Sequence, residues 1–357
     1  MFFKQLKKFT IHLFVGANVA SILVMLLVGY SDRLNPVEHP VLSCMGLTFP
    51  LLLVVNILFL LFWLLVKPRL VLIPVLGFII NYVPVRTYIP INFCGSLPDS
   101  TIKVVSYNVK NFELKAEKGA IHPALRYLID SKADIVCVQE AGYHPPVKNE
   151  ELRAEYPYCE VMKYGMVHHA IYSKFPIVGK ERINYPSKGN GSTAFFVEIN
   201  GKCVLIVNNH FETSGLSLDD RHEIQEIVKG NTNNDSLHAE SKRLIVKLAD
   251  KAVIRAPQVD AVAEYVHSHS DMPVILCGDF NDSPISYSRH TLAHELTDCY
   301  VEAGFGPGWT YNSNGLKVRI DHLLCNDYFV PYKCIIDRKI AASDHYPIVC
   351  WLKMQDK

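Results

Sequence analysis

Hydrophobic residues follow two different patterns in the two parts of this chain. The first hundred residues contain long apolar runs with almost no charge, whereas the rest alternates short β-branched runs with polar stretches. Long apolar runs are typical of helices that cross a membrane, and short ones are typical of buried β-strands. The pattern therefore predicts an N-terminal membrane region, followed by a domain that contains both strands and helices.

Three apolar runs make up the predicted membrane region, residues 1–96, and they lie at about 11–30, 41–66 and 70–88. The first has 20 residues, and a helix rising about 1.5 Å per residue needs roughly that length to cross a hydrocarbon core of roughly 30 Å. The second has 26 residues without a charge. The third contains Pro74 and Pro84, so we expect it either to span the membrane or to re-enter it. A cleaved signal peptide is the alternative for the first run, but the second run follows directly, which favours retention in the membrane.

The distribution of Lys and Arg predicts the orientation of the membrane region, because the more basic side faces the cytoplasm. Three basic residues precede the first run and two separate the second from the third, against one in the first loop and one near the end of the third run. Three spans then place the C-terminal domain outside the cytoplasm, on the periplasmic side in a bacterium. Two spans would leave it in the cytosol. We expect an integral, multi-pass membrane protein with an extracytoplasmic C-terminal domain.

Charged residues are concentrated after residue 100. The first hundred residues hold 7 of the 36 Lys and Arg and 3 of the 35 Asp and Glu, which leaves 29 basic and 32 acidic side chains in the remainder. A net charge of −3 excludes nucleic-acid binding through the overall charge of this domain, and only local basic patches stay available for it. Cys137, Cys203 and Cys277 are among the cysteines in apolar strand-like runs, where a small buried side chain fits better than a disulfide framework.

The C-terminal domain is predicted to occupy residues 97–357 and to consist of sheets covered by helices. Two amphipathic segments, 123–131 and 257–267, are expected to be covering helices. Residues 213–254 are predicted to form an insertion between two strands. Its first part, 213–238, is polar and is expected to be irregular, whereas 241–254 is expected to be helical.

Polar side chains stand next to the apolar runs, at the points where strands are expected to end or begin. These side chains are Asn108, Glu140, His210, Asp279, Asp321, Asp344 and His345. Strands that end at the same edge of a sheet would bring them together in one crevice. Carboxylate and amide oxygens suit Mg²⁺ or Mn²⁺ better than zinc. The sequence therefore predicts a divalent-metal site at this edge.

Seven short motifs occur in a specific order along residues 101–353. They are SYNV (106–109), VQE (138–140), SKFPI (173–177), NNHF (208–211), GDFND (278–282), RIDHLL (319–324) and SDHYPI (343–348). In this combination the chain resembles the endonuclease/exonuclease/phosphatase superfamily, with its DNase I-like and sphingomyelinase-like branches. The resemblance implies an α/β fold, a four-layer sandwich of two mixed β-sheets flanked by helices. It also implies hydrolysis of a phosphoester with a divalent metal, here Mg²⁺ or Mn²⁺.

The resemblance also implies metal ligands and a pair of groups that act on the attacking water. Glu140 corresponds to the principal metal ligand, with Asn108 and Asp344 as direct or water-mediated supports. Asp279 and Asn281 correspond to the Asp-x-Asn pair, in which the acid orients or deprotonates water and the amide holds a phosphoryl oxygen.

Two histidines complete the implied site. His345 corresponds to the histidine that is paired with an acid, and Asp321 corresponds to that acid. His210 corresponds to the second histidine, which contacts the phosphate or protonates the leaving oxygen. Phosphodiester hydrolysis needs both charge stabilisation and proton transfer, and both histidines suit either task. The acid and base assignments of His210 and His345 therefore stay open.

The predicted function is a membrane-tethered, divalent-metal-dependent phosphoesterase that hydrolyses phosphodiester bonds, with a nuclease-type enzyme as the first hypothesis. A lipid head-group phosphodiesterase similar to sphingomyelinases is the alternative, because the tether holds the domain near lipid. A catalytically inactive, membrane-anchored binding module is disfavoured because the set of site residues is complete. The expected partners are the substrate, a nucleic acid or a lipid head group, and the bilayer.

Two further groups of residues have open roles at this stage. Residues of the insertion follow the His210 strand and are hypothesised to shape specificity; they are Asp219, Arg221, His222, Lys242 and Arg243. His168 and His169 precede the SKFPI motif. They are either polar residues at the surface or at a strand end, or residues that contact the substrate.

Overall fold

A computed structural model describes residues 2–113, 121–142, 146, 149–165, 167–229, 234–313 and 316–355. Its N-terminal region is helical and contains α1 (Phe2–Gly29), α2 (Pro40–Ser43), α3 (Phe49–Val66), α4 (Leu72–Ile80) and α5 (Tyr82–Tyr88). In this part of the chain, Phe2–Arg33 and Pro40–Val66 are long and apolar enough to cross a membrane. Pro68–Ile80 and Tyr82–Tyr88 meet the same criterion only as a pair, and they are bent by 72° from each other. The described chain therefore has two candidate spans, or three if the bent pair counts as one.

The two long helices are joined by hydrogen bonds between buried side chains. The Trp63 indole Nε1 donates to Asn18 Oδ1 at 3.0 Å, and Ser21 Oγ donates to Asn56 Oδ1 at 3.0 Å. Polar groups within a bilayer need partners inside the protein, since lipid tails supply none. These bonds fix α1 against α3.

The rest of the chain alternates strands and helices. The strands are β1 (Thr101–Asn108), β2 (Ile135–Gln139), β3 (Tyr158–Tyr164), β4 (Val167–Ser173), β5 (Ile177–Ile183), β6 (Gly191–Ile199), β7 (Lys202–His210), β8 (Val274–Asp279), β9 (Thr297–Asp298), β10 (Tyr311–Ser313), β11 (Leu316–Val318), β12 (Asp321–Cys325), β13 (Phe329–Ile336) and β14 (Ile348–Met354). The helices are α6 (Pro123–Asp130), α7 (Glu150–Glu155), α8 (Leu218–Lys229), α9 (Asn234–His267), α10 (Tyr287–Leu292) and α11 (Cys299–Ala303).

Most of the strands form two six-stranded mixed sheets. The first has the order β13-β14-β1-β2-β4-β3, and the second has the order β5-β6-β7-β8-β12-β9. Each contains one parallel pair, β1 with β2 and β7 with β8, while the remaining neighbours are antiparallel. Strands β10 and β11 form a separate hairpin. The parallel pairs lie inside both sheets, where residues on both faces are buried.

Three apolar layers hold the sheets and helices together. The faces of the two sheets pack on each other through a core that includes Val104, Cys137 and Ile275. The outer face of the first sheet is covered by Leu125 and its neighbours on α6, and that of the second by Val262 and its neighbours on α9. The prediction of two mixed sheets flanked by helices is therefore confirmed.

The insertion differs from its predicted structure. Its polar first part contains helix α8, where the sequence predicted irregular chain, and residues 230–233 of this part lie outside the described residues. The two predicted helices 241–254 and 257–267 are one helix, α9, that continues through Pro257. Among the cysteines expected to be buried, Cys203 is exposed, because it lies near the start of β7.

The N-terminal helical region packs directly on the C-terminal domain. At Gly46 an added Cβ would lie 2.0 Å from the backbone oxygen of Ile285, so the two segments of backbone are in close contact there. Arg319 is buried, and its guanidinium donates to the carbonyl of Thr87 at the end of α5. Asn92 Nδ2 donates to the carbonyl of Gly304 at 2.9 Å. The turn before α3 and the end of α5 are therefore both attached to the C-terminal domain.

Candidate active site

The polar strand ends meet at one edge of the two sheets. Asn108 at the end of β1 pairs with Gln139, the last residue of β2, and Glu140 follows Gln139 directly. In the second sheet, Asp279 pairs with His210 on one side and with Asp321 on the other. Because the sheets are stacked face to face, these ends form one cluster, and Asn108 Nδ2 lies 3.0 Å from Asp279 Oδ2 across the two sheets.

Asn108 joins two of the carboxylates. Its Nδ2 donates to Glu140 Oε1 and to Asp279 Oδ2, each at 3.0 Å, and its Oδ1 accepts from the backbone N–H of Lys110 at 3.0 Å. The Asn108 side chain is buried, so these bonds satisfy a polar group that water does not reach. The amide keeps both carboxylates in fixed positions beside each other.

The backbone adopts left-handed conformations next to the carboxylates. Glu140 has a φ of 49° and Asn281 a φ of 52°, values that non-glycine residues rarely adopt. The Asn281 N–H donates to Asp279 Oδ1 at 2.8 Å, which fixes this turn. Gly278 is required before Asp279, because a Cβ there would lie 2.0 Å from the carbonyl oxygen of Asn209.

His345 forms a buried ion pair with Asp321. Its Nδ1 lies 2.8 Å from Asp321 Oδ2, and its Nε2 lies 3.7 Å from Asp279 Oδ2. Burial lowers the pKa of His345, but the charges of Asp321 and Asp279 outweigh this effect and raise it to about 10. The imidazole is therefore cationic at neutral pH. The edge of the Tyr311 ring covers it at a centroid distance of 5.2 Å.

For the pKa of Asp279, burial is the largest effect. Burial raises the pKa of its carboxyl group, the nearby His345 imidazole lowers it and the charge of Asp321 raises it, for a net value of about 6. The group is therefore ionised at neutral pH but titrates close to it. A carboxylate with such a pKa is suited to accept a proton.

His210 projects into the same cluster. Its Nε2 lies 3.5 Å from Glu140 Oε1 and 3.8 Å from Asp279 Oδ2, and the ring is buried. Neither ring nitrogen makes a hydrogen bond to another described residue. A buried imidazole with this arrangement is available to a ligand oxygen that enters between the two carboxylates.

Asp344 and Asn281 lie at the sides of the cluster. Asp344 Oδ2 is 3.5 Å from Lys110 Nζ, and its side chain is more exposed than that of Asp279. Asn281 Nδ2 donates to the carbonyl of Phe211 at 3.0 Å, which joins the turn after β8 to the end of β7. All eight residues that the sequence singled out therefore lie at this edge.

Other residues at this edge were not singled out by sequence reasoning. Asn111 has a φ of 53° and donates from Nδ2 to Glu140 Oε2 at 3.3 Å. The Thr310 hydroxyl accepts from the backbone N–H of Asp321 at 3.0 Å, and Ser343 Oγ donates to the Asn108 carbonyl at 2.8 Å. Asn111 follows SYNV and Ser343 begins SDHYPI, so position in a motif is a signal for both, whereas Thr310 carries none.

The insertion contributes one cation to the rim. The Arg221 guanidinium lies 5.3 Å from the centre of the Tyr311 ring, on the ring that covers His345. Arg243 has a structural contact instead: its Nη1 lies 2.8 Å from Asp220 Oδ1 and joins α9 to α8. Lys247 binds the same carboxylate.

His168 and His169 are both buried in β4. His169 Nδ1 lies 3.2 Å from the Thr193 hydroxyl, and its ring centre is 6.4 Å from that of His210. Burial and the neighbouring His210 keep the pKa of His169 well below its usual value. His169 is therefore a neutral residue that supports His210 from within the sheets.

Two positions in the cluster have ligand atoms that suit a cation. Asp279, Asp321 and His345 offer atoms within 4.8 Å of one another. The Glu140 carboxylate is more exposed, at 23% for its side chain, and lies beside the amide of Asn108. The first position is engaged in the ion pair of His345, whose Nδ1 contacts Asp321 and is protonated. The second retains free carboxylate lone pairs, so it fits a hard divalent ion better.

Solved structures share this fold. A humanised D. rerio TDP2 with 14 mutations superimposes with a TM-score of 0.51 and 15% identity, over 72% of this chain and 100% of that chain. An endonuclease/exonuclease/phosphatase from Beutenbergia cavernae DSM 12333 gives a TM-score of 0.51 and 16% identity, over 71% of this chain and 72% of that chain. At these identities the similarity establishes the fold alone.

Family models match both parts of the chain. Residues 11–88 match a domain of unknown function, DUF8431. A search of curated proteins finds no match. Residues 105–345 match the endonuclease/exonuclease/phosphatase family, and this segment includes every residue of the cluster described above. The chain therefore belongs to the endonuclease/exonuclease/phosphatase family.

Proposed function

We propose that this protein is a membrane-tethered, divalent-metal-dependent phosphodiester hydrolase. The observation that carries the proposal is the buried cluster at the sheet edge, in which a cationic His345, paired with Asp321, lies beside an ionisable Asp279 and a buried His210. Phosphoryl transfer needs charge stabilisation and a positioned nucleophile more than covalent chemistry. The cluster supplies both kinds of group within a few ångströms.

Glu140, Asn108 and Asp344 are the proposed metal-binding residues, with Mg²⁺ or Mn²⁺ as the expected ion. The Glu140 carboxylate is the principal ligand, because its backbone turn directs it into the crevice and its oxygens are partly open to solvent. A bound divalent ion would supply positive charge to the phosphoryl oxygens.

Asp279 is the proposed base, and His345 the proposed cationic group. Asp279 orients the attacking water and accepts a proton from it, and the amide of Asn281 holds a phosphoryl oxygen. His345 remains protonated because Asp321 holds it, and it stabilises negative charge that develops on the phosphoryl group. His210 offers a ring nitrogen to a phosphate or leaving-group oxygen from the opposite side.

A nuclease-type substrate is the first candidate, and Lys110 and Arg221 at the rim are the local cations that such a substrate requires. A lipid head group is the second candidate. The specific observation in its favour is the contact between Gly46 of the membrane region and Ile285, four residues after Asn281. This contact keeps the active-site turn close to the membrane segment.

The test is an assay of the full-length protein, purified in detergent, on DNA, RNA, sphingomyelin and a small phosphomonoester. We expect metal-dependent turnover of a phosphodiester, with a loss of about 10²-fold or more in the Asp279→Asn and His345→Ala variants. The exposed Asp130→Asn variant is the matched control and is expected to retain full activity. Turnover that survives both active-site substitutions would contradict the assigned site, and absence of turnover and of metal binding would favour a binding module.

A further inference from the structure

Three exposed apolar side chains form one patch where the chain leaves the membrane region. Ile91, Phe93 and Phe305 are 64%, 87% and 62% exposed. The rings of Phe93 and Phe305 lie 5.9 Å apart, and Ile91 forms a β-bridge with Phe305. We call these three residues the juxtamembrane patch. Contiguous exposed apolar residues of this kind are uncommon on soluble surfaces and mark sites of interaction.

The patch is tied to the end of the last membrane helix. Phe93 follows Tyr88, the last residue of α5, by five residues, so their Cα atoms are at most about 18 Å apart. The Gly306 N–H donates to the Pro90 carbonyl at 2.8 Å, which fixes the Phe305 loop against the same segment. Neither half of the patch can therefore move far from α5.

Helix α5 has the features of a helix at a membrane surface. It is bent by 72° from the preceding helix, and its Tyr82 and Val83 are exposed, whereas Thr87 and Tyr88 are buried against the protein. Arg86 forms an ion pair with Glu302 of the C-terminal domain at 2.8 Å. Tyrosine and arginine are typical of the zone between hydrocarbon and water. Helix α5 therefore combines exposed aromatic and apolar side chains at its start with an end that is attached to the C-terminal domain, directly before the juxtamembrane patch.

We infer that the juxtamembrane patch enters the interfacial zone of the same bilayer that holds the N-terminal helices, and thereby fixes the C-terminal domain on the membrane surface. The inference rests on the membrane tether proposed above. The occupant of the patch is lipid, because Phe93 lies within about 18 Å of the end of α5 and the Gly306–Pro90 hydrogen bond holds Phe305 beside it, so the bilayer proposed to hold the N-terminal helices is the nearest apolar phase. The catalytic role of the sheet-edge cluster is not needed for it.

A basic and aromatic group lies next to the patch along the chain. Trp309 follows Phe305 by four residues, and the charged ends of Lys317 and Arg338 each lie 5.4 Å from the centre of its ring. Cations beside an interfacial tryptophan bind anionic head groups. We therefore expect the patch to insert more deeply into a bilayer that contains anionic lipid.

The test is photocrosslinking of the full-length protein in vesicles of phosphatidylcholine and phosphatidylglycerol. A benzophenone amino acid replaces Phe93 or Phe305, and mass spectrometry measures lipid adducts. Leu65, which is 86% exposed on α3, is the positive control, and Val178, which is 60% exposed on β5, is the matched control away from the patch. We expect at least tenfold more lipid adduct at positions 93 and 305 than at 178, and less of it in phosphatidylcholine alone.

Three results would overturn the inference. Equal labelling at 93 and 178, with strong labelling at 65, would place the patch in water. Crosslinks from position 93 to a second copy of the chain would assign the patch to self-association. Absence of lipid adducts at 65 would contradict the membrane tether itself, and the patch with it.

A second variant separates insertion from folding. Phe93→Glu replaces an exposed side chain, so the fold is expected to persist, and the charge opposes entry into the interface. We expect the lipid adduct at position 305 to fall at least fivefold in this variant, while turnover of a soluble phosphodiester is unchanged. An unchanged adduct at 305 would contradict a shared insertion of the two aromatic residues.

Discussion

At the scale of single residues, the ion pair between Asp321 Oδ2 and His345 Nδ1, 2.8 Å apart, is the contact through which Asp321 is expected to affect activity. The Asp321→Asn substitution is expected to lower kcat/KM by about 10² to 10⁴-fold, because the cationic imidazole loses its counter-charge and orientation. His345 is active in its protonated form, so activity is lost as pH rises through its raised pKa of about 10. Without Asp321 this alkaline limb is expected to move to lower pH. A pH profile of kcat/KM checks both effects, and an unmoved limb with intact turnover would contradict the role of the pair.

His322 determines a separate pH dependence, that of stability. Burial lowers the pKa of His322 to about 4, against the opposing effect of the Asp298 carboxylate, whereas an unfolded histidine titrates near about 6.5. At pH values between these two pKa values, His322 is protonated in the unfolded chain but neutral in the folded protein. The contribution of His322 to the free energy of unfolding therefore falls as pH drops from about 6.5 to about 4, by up to about 3 kcal/mol.

The measurement is the thermal midpoint of the detergent-solubilised protein across this range. As pH drops from about 6.5 to about 4, the thermal midpoint of the unaltered protein is expected to fall relative to that of the His322→Asn variant, because the variant lacks the His322 proton that links folding to pH. Parallel curves for the two proteins would show that His322 does not carry this linkage.

Sequence patterns predicted which polar residues lie together at the sheet edge, because these residues stand where apolar runs end or begin. Asn108, Glu140 and Asp279 lie where apolar runs end; parallel pairing brings Asn108 beside Glu140 and His210 beside Asp279, and the stacking of the two sheets brings the two pairs together. Thr310 has no such signal, since its contact with Asp321 comes from a loop that only tertiary packing brings there. The sequence also could not predict which carboxylates Asn108 contacts. That depends on how the two sheets are offset when they stack, and the sequence of a single strand does not determine this offset.

Gly46 matters at the scale of elements, because it lets the turn before α3 approach the active-site loop. A Cβ at this position would lie 2.0 Å from the backbone oxygen of Ile285, which cannot rotate away. The Gly46→Val variant is expected to lower the thermal midpoint by about 5 °C or more and to reduce turnover, since the displaced loop carries Asn281.

The matched control for this variant is Gly16→Val. Gly16 lies on α1 with no atom within 4 Å of an added Cβ, so valine is expected to have little effect there. Differential scanning fluorimetry of both variants checks the prediction. Equal midpoints would mean that the membrane region and the active-site loop are not mechanically joined.

Helix α8 illustrates why the elements of the insertion were harder to predict than the strands. Its sequence is polar, and its contact with α9 depends on the ion pairs of Asp220 with Arg243 and Lys247, more than 20 positions along the chain. Short continuous apolar runs revealed the central strands of both sheets, because a strand that is buried on both faces is apolar at successive positions. Long-range ion pairs leave no such pattern.

At the scale of the whole molecule, the basic N-terminus and the C-terminal domain lie at opposite ends of helix α1. The turn at Gly46 packs on the domain, whereas Lys4, Lys7 and Lys8 lie at the other end of α1. With the basic end in the cytoplasm, the domain is expected outside it. Cys94 and Cys203 are exposed, so a membrane-impermeant maleimide is expected to label them in intact cells, and the Cys94→Ser, Cys203→Ser double variant is the control. Labelling only after lysis would place the domain in the cytosol.

Metal binding at Glu140 is the central claim, and calorimetric titration of the purified full-length protein with Mn²⁺ tests it most directly. We expect one site with an affinity that falls at least tenfold in Glu140→Gln and is unchanged in the exposed control Glu151→Gln, together with a matching rise in the Mn²⁺ concentration that phosphodiester turnover requires. Equal Mn²⁺ affinity in the unaltered protein and in Glu140→Gln would contradict the assigned metal site and, with it, the proposed mechanism.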